Sequence, residues 1–74
     1  MERFTLVGVD GNAFAIMGYT ARAMKKAGLG KEVDHMYEEA KSGDYYNLIA
    51  VCDRYVDMAN EAMGLNEFDD EEDE

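Results

Sequence analysis

The feature that most constrains the fold of this 74-residue chain is an unbroken apolar stripe between Tyr45 and Met63. Apolar side chains recur there at intervals of three and four residues, the spacing that places them on one face of an α-helix. The stripe consists of Tyr45, Leu48, Ile49, Cys52, Tyr55, Val56, Ala59 and Met63. Asp44 is the predicted N-cap and Gly64 the predicted stop of this helix. A chain this short is expected to form one domain around such a helix.

A first helix is predicted upstream, from Ala13 to Ala27, with Asn12 as its N-cap. Its expected buried stripe is Phe14, Met17, Ala21, Met24 and Gly28. Gly28 is also expected to end the helix in a left-handed conformation. Gly18 lies inside the pattern, where glycine destabilises a helix, and this favours a close helix crossing at that point.

The second helix is predicted from Lys31 to Lys41, with Val33, Met36, Tyr37 and Ala40 on its apolar face. Glu32 and Asp34 in its first turn complement the helix dipole. Gly43 is the expected C′ residue that ends it.

Residues 3–9 are β-branched or apolar at most positions and are predicted to form a short strand, followed by an Asp10-Gly11 turn. A lone strand leaves backbone groups unpaired, so this strand needs a partner. The partner is expected to be either residues 65–68 or a second copy of the chain. The predicted fold is mainly α (α+β): a compact three-helix domain over residues 1–68, with a short N-terminal strand and a disordered acidic tail over residues 69–74.

The chain carries 17 acidic and 7 basic residues, for a net charge of −10. Direct nucleic-acid binding is therefore not expected, because it requires a basic footprint. Seven of the last eight residues are acids, and this tail includes Asp69, Asp70, Glu71 and Glu72. Two interpretations stay open: a solvated tail that keeps the protein soluble, and an electrostatic arm that competes for a basic surface.

The chain has one cysteine and one histidine, which excludes an internal disulfide framework and the usual zinc sites. Cys52 lies within the apolar stripe and is expected to be a buried core residue, whereas His35 lies off the apolar face and is expected at the surface. No catalytic constellation or cofactor motif is present, so an enzyme is not expected. No apolar run is long enough to span a membrane and no signal peptide is visible, which favours the cytoplasm.

Asp53, Asp57 and Glu61 are spaced at i, i+4 and i+8 and form one row of carboxylates on the third predicted helix. Glu38 and Glu39 would extend this row if the second and third helices pack side by side. Two interpretations stay open: the solvated side of an amphipathic helix, and a row of negative charge that imitates a phosphate backbone. Tyr46 lies outside the stripe and is a candidate partner-binding aromatic residue.

Three motifs lie at predicted turns and helix ends of the chain: Gly-x-Asp-Gly-Asn-Ala-Phe at residues 8–14, Lys-Ala-Gly at 26–28 and Glu-Ala-x-Ser-Gly-Asp-Tyr at 39–45. With these motifs the region from residue 7 to about 56 resembles a family of small, largely uncharacterised acidic proteins encoded by bacteriophages, prophages and their bacterial hosts. The resemblance implies a fold and a genomic setting, with the host cytoplasm as the location of a phage-encoded protein. It implies no reaction.

These observations favour a small acidic inhibitor that binds a basic, nucleic-acid-handling host protein. The phage resemblance makes a CRISPR effector a natural target, as for an anti-CRISPR protein. Occlusion of a groove rich in Lys and Arg by the carboxylates is the expected mechanism. The alternative is a structural or housekeeping protein that acts as a homodimer or larger homo-oligomer, with the N-terminal strand as its pairing edge.

Overall fold

A computed structural model of the chain describes residues 2–65 and contains three α-helices in this range. The helices are α1 (Ala13–Lys26), α2 (Val33–Ala40) and α3 (Tyr45–Ala62), and a 3₁₀ turn (Gly30–Glu32) precedes α2. The three predicted helices are confirmed, with the first turn of the second one replaced by the 3₁₀ turn. The predicted tail over residues 69–74 and positions 66–68 of the second predicted strand lie outside the described residues.

Helix α3 packs against both α1 and α2, so that its apolar stripe becomes the centre of the domain. Two clusters of buried side chains fill the space between the elements. The first joins all three helices and contains Ile16, Met17, Ala21, Met24, Val33, Met36, Ala40, Leu48, Val51, Cys52 and Tyr55. The second joins α1, α3 and the N-terminal segment and contains Phe4, Ala23, Val56 and Ala59.

The helix ends are satisfied in the way that the sequence predicts at four positions. Asn12 Oδ1 accepts hydrogen bonds from the backbone of Phe14 (2.8 Å) and Ala15 (3.3 Å), and Asp44 Oδ1 accepts one from Asn47 N (3.0 Å). Gly28 and Gly64 have φ of 82° and 69°. The residue after each glycine donates to a carbonyl five positions back: Leu29 to Met24 (2.8 Å) and Leu65 to Asn60 (2.7 Å). Both helices therefore end in Schellman motifs.

The prediction that Gly43 is the C′ residue of the second helix is wrong, because α2 ends at Ala40 with Lys41 as its C-cap, and Ser42 therefore occupies the C′ position. Among the described glycines only Gly8, Gly28 and Gly64 have positive φ. Side chains satisfy the end of α2 instead: Ser42 Oγ (2.7 Å) and Asn47 Nδ2 (3.0 Å) both donate to the carbonyl of Glu39. A Cβ on Gly43 would lie 2.9 Å from Asn47 Cβ, so glycine is needed here for close approach of α3.

The predicted N-terminal strand is also wrong, since residues 2–65 contain no β-strand. The backbone of Phe4 pairs with a side chain: Phe4 N–H donates to Asn60 Oδ1 (2.7 Å), and Asn60 Nδ2 donates to the Phe4 carbonyl (2.9 Å). A turn follows, in which Val9 N–H donates to the carbonyl of Leu6 (3.1 Å). The Asn60 amide supplies one donor and one acceptor, as a neighbouring strand would, and no strand pairing is needed.

Two expectations for the first helix are wrong as well. Phe14 is 81% exposed, because the buried face of α1 is centred on Thr20 and Met24, and Phe14 lies about 120° around the helix from Thr20. Thr20 is accepted in the core because its hydroxyl donates to the carbonyl of Ile16 (2.8 Å). None of the helices within residues 2–65 crosses closely at Gly18: among these residues a Cβ there would meet only Arg22 Nη1, at 3.6 Å.

Candidate functional site

The outer face of α3 carries the predicted carboxylate row, formed by Asp53, Asp57 and Glu61, and all three residues are exposed. The opposite face of the helix is buried in the two clusters, which fixes the direction in which these side chains point. One residue every 1.5 Å along the axis gives a row about 12 Å long with neighbours about 6 Å apart. We call these three residues the acidic row.

The acidic row is electrostatically uncompensated within residues 2–65. No Lys or Arg of this range lies within ion-pair distance of its three carboxylates. Arg54 follows Asp53 in sequence, but its guanidinium points to α2, where Nη2 contacts Glu39 Oε1 at 2.8 Å. The repulsion between carboxylates at i and i+4 is therefore not relieved by a neighbouring cation.

Tyr46 extends the same face toward the start of α3. The residues at 46, 50, 53, 57 and 61 recur at intervals of three and four and are all exposed. Tyr46 itself is 82% exposed. Its neighbour Tyr45 turns toward the N-terminal loop, where its hydroxyl donates to the carbonyl of Gly11. The face thus combines one aromatic side chain with three carboxylates.

Helix α2 does pack beside α3, but its two glutamates differ in environment. Glu38 is exposed. Glu39 is half-buried, and its Oε1 accepts hydrogen bonds from Arg54 (2.8 Å) and from the hydroxyl of Tyr55 (2.9 Å). Glu39 joins the two helices and shares its charge with Arg54, so that of the pair only Glu38 presents an uncompensated carboxylate. The tail candidates Asp69, Asp70, Glu71 and Glu72 lie outside the described residues.

Two buried groups have shifted acidities. Burial raises the pKa of the Cys52 thiol, and a hydrogen bond with Thr20 partly opposes the shift. Burial also raises the pKa of Tyr55, and the nearby Glu39 carboxylate adds to that shift. Cys52 is buried and His35 is exposed, as predicted. Among residues 2–65 there is no group of three or more His, Cys, Asp or Glu side chains arranged to hold a metal ion.

Sequence reasoning missed an apolar groove of about 380 Å³ where α1 begins, α2 ends and α3 begins. Phe14 and Tyr45 stand at its edges, and Met17 and Leu48 lie beneath them. The sequence pattern does not reveal this groove, because it places Phe14 in the buried stripe, whereas Phe14 is exposed and lines the groove. The signal available in the sequence was the pair Ile16 and Ala23, which both lie off that stripe and belong to the true buried face.

No protein-family model, curated protein or solved structure matches the chain. The resemblance to a phage and prophage family stays a prediction from the three sequence motifs. None of the helices described here is both long and apolar enough to cross a membrane.

Proposed function

We propose that this protein is an acidic inhibitor that binds a basic, nucleic-acid-handling host protein and covers the groove in which that protein holds nucleic acid. The observation that carries the proposal is the acidic row, Asp53, Asp57 and Glu61, which is exposed on a well-capped helix and has no Lys or Arg of residues 2–65 within ion-pair distance. A fixed row of carboxylates is organised before binding, so that it complements a row of Lys and Arg at little entropic cost.

Electrostatics give such an inhibitor its rate and selectivity. The net charge of −10 attracts basic surfaces over a distance of about a Debye length and raises the association rate. The acidic row is sparser than duplex DNA, which carries a charge about every 1.7 Å of its axis. Glu38 and the tail carboxylates at 69–72 would add to it in the complex. Tyr46 would supply the aromatic anchor that interfaces commonly use.

The biological setting of the proposal comes from the sequence motifs. A phage-encoded acidic protein acts in the host cytoplasm, where nucleases that defend the host are basic targets of this kind. A CRISPR effector is the target we propose first. The mechanism uses binding alone, since the only cysteine is buried with a raised pKa and supplies no reactive thiol.

The test is a competition experiment. The protein is used to capture partners from a host lysate at low salt, and a captured partner is then titrated with short duplex DNA in the presence and absence of the protein. The proposal expects mutually exclusive binding that weakens steeply as salt rises. A ternary complex of partner, DNA and protein would overturn groove occlusion.

A matched pair of variants assigns the surface. Asp53→Lys with Asp57→Lys should weaken partner binding strongly. Glu32→Lys with Asp34→Lys makes the same change in net charge on exposed residues at the start of α2 and should weaken it far less. Equal losses in the two variants would mean that net charge, and not the acidic row, determines binding.

A second candidate function is the assembly of identical chains. The N-terminal strand proposed as a pairing edge is absent from residues 2–65, but Phe14, 81% exposed beside the apolar groove, favours a different contact. Static light scattering over a range of concentrations tests it. A dimer that Phe14→Ser converts to a monomer with a parent-like circular dichroism spectrum supports this function; its melting temperature should fall, because the dimer no longer stabilises the fold. A monomer at every concentration excludes it.

A further inference from the structure

A second groove, of about 320 Å³, runs between the N-terminal segment and the C-terminal half of α1. Its walls combine apolar and aromatic side chains with three basic residues and one acidic residue. It is lined by Glu2, Arg3, Phe4, Tyr19, Arg22, Ala23 and Lys26. We call it the basic groove. It lies on α1 and shares no lining residue with the acidic row or the apolar groove.

The basic groove has a positive charge that residues 2–65 leave uncompensated on the α1 side. No carboxylate of this range lies within ion-pair distance of Arg22 or Lys26, nor of Lys25, which neighbours Lys26 in the last turn of α1. Glu2 contributes one negative charge to the lining. Although the chain has a net charge of −10, its surface therefore has a basic region on α1 as well as the acidic row on α3.

The chain leaves the described structure next to this groove. Leu65, the last described residue, packs against the cluster that contains Phe4 and Ala23, and both of these residues also line the groove. The nine residues that follow span up to about 30 Å when extended, enough to lie along it. Seven of them are acidic, and one, Phe68, is aromatic.

We propose that the basic groove binds the chain's own acidic C-terminal segment, residues 66–74. The carboxylates of this segment pair with Arg22 and Lys26, and Phe68 packs against the apolar part of the groove near Tyr19. A ligand tethered this closely has an effective concentration in the millimolar range, so even weak pairing keeps it bound. This site does not depend on the proposed function. If both proposals hold, a basic partner competes with the basic groove for the C-terminal segment. The segment has to leave the groove before its carboxylates can bind the partner.

The experiment is paramagnetic relaxation enhancement on the full chain. A nitroxide is attached through Glu72→Cys; because Cys52 is buried with a raised pKa, labelling under native conditions goes to the new thiol. Signal loss is read at the amides of Arg22 and Lys26, with Asp53 and Asp57 on α3 as internal references. The proposal expects strong loss at the first pair, reversed when salt is raised to about 0.5 M.

Matched variants separate docking from mere tethering at Leu65. Arg22→Glu with Lys26→Glu should abolish most of the signal loss in the groove, whereas Lys31→Glu with Lys41→Glu changes the net charge equally and should preserve it. Phe68→Ser, which alters no charge, should reduce it at Tyr19. Well-dispersed amide spectra show that each variant is folded.

Equal signal loss in the two charge-reversal variants would overturn the proposal. So would a segment that stays out of the groove while inorganic polyphosphate shifts the Arg22 and Lys26 amides, since the groove would then serve an external anion. Neither result bears on the acidic row, because no partner is present in this experiment.

Discussion

Asn60 is a polar residue on the buried face of α3, at a position that the predicted apolar stripe does not include. Its side chain is fully buried, and its two hydrogen bonds to Phe4 hold the N-terminal segment against α3. The Asn60 amide binds both the N–H and the carbonyl of Phe4, as a neighbouring strand would. A pattern of apolar residues does not reveal such a partner, because Asn60 and Phe4 are 56 positions apart.

Replacing Asn60 with leucine should therefore be costly although leucine suits the surrounding core. The variant leaves the N–H and carbonyl of Phe4 buried without partners, and we expect a loss of roughly 2–4 kcal/mol in the free energy of unfolding. Urea denaturation followed by circular dichroism measures it. Glu61→Ala, at the exposed neighbouring position, is the control and should change stability by less than about 0.5 kcal/mol. Equal stability of the two variants would show that the Phe4 contact contributes little.

Replacing Gly18, within α1, and Gly28, just after α1, with alanine should change the stability of the protein in opposite directions. At Gly18 the new Cβ meets only the flexible end of Arg22 at 3.6 Å, so Gly18→Ala should stabilise the protein by about 0.5–1 kcal/mol. At Gly28, where φ is 82°, Gly28→Ala should destabilise it by roughly 1–2 kcal/mol. Thermal melting of both variants tests the pair. A stabilising Gly28→Ala would contradict the Schellman assignment.

Cys52 should be chemically quiet in the folded protein. A thiol reagent is expected to label it slowly without denaturant and rapidly with it, because the thiol is buried and its pKa is raised above the ordinary 9.0. The unfolded chain ionises first as pH rises, so the stability linked to this proton is complete below pH 9.0 and decreases above it. Stability that rises between pH 9 and 10 in the parent but not in Cys52→Ala would contradict this direction.

At the scale of the elements, the caps account for most of what could be predicted. Asn12, Asp44, Gly28 and Gly64 act locally, so their neighbours in sequence suffice to reveal them. The end of α2 depends instead on Asn47, which reaches it from α3, and the rotation of α1 depends on which of its faces α3 covers. Both depend on contacts between helices, which a local sequence pattern does not show. The predictions of Gly43 as the C′ residue of α2 and of a buried Phe14 are wrong for this reason. The acidic row was predictable because it lies on the same helix as the strongest apolar stripe.

Helix α3 offers a direct test of its two faces. Leu48 is buried between the helices, so Leu48→Ala should reduce the free energy of unfolding by about 2–5 kcal/mol. Tyr46 is 82% exposed, and Tyr46→Ala should change it by less than about 0.5 kcal/mol. Urea titrations of both variants give the comparison. A parent-like Leu48→Ala would mean that the stripe is not the centre of the core.

At the scale of the whole molecule, the two buried clusters both include residues of α1 and α3, so unfolding should be cooperative. The tyrosines report on different helices, with Tyr19 on α1, Tyr37 on α2 and Tyr55 on α3. We expect the urea transitions measured by tyrosine fluorescence and by far-ultraviolet circular dichroism to coincide. Separate midpoints would show that the domain does not unfold in a single cooperative step.

The pairing of Phe4 with Asn60 also has a consequence for how the domain is made. During synthesis Phe4 leaves the ribosome well before Asn60, whose side chain it pairs with and which is made 56 positions later, in the last turns of α3. Until then α1 and α2 are not covered by α3, and the N-terminal segment has only its contacts with α1. The domain is therefore completed only after translation has passed α3, and a ribosome stalled before Asn60 would carry a chain in which the residues around Phe4 are still accessible to proteases.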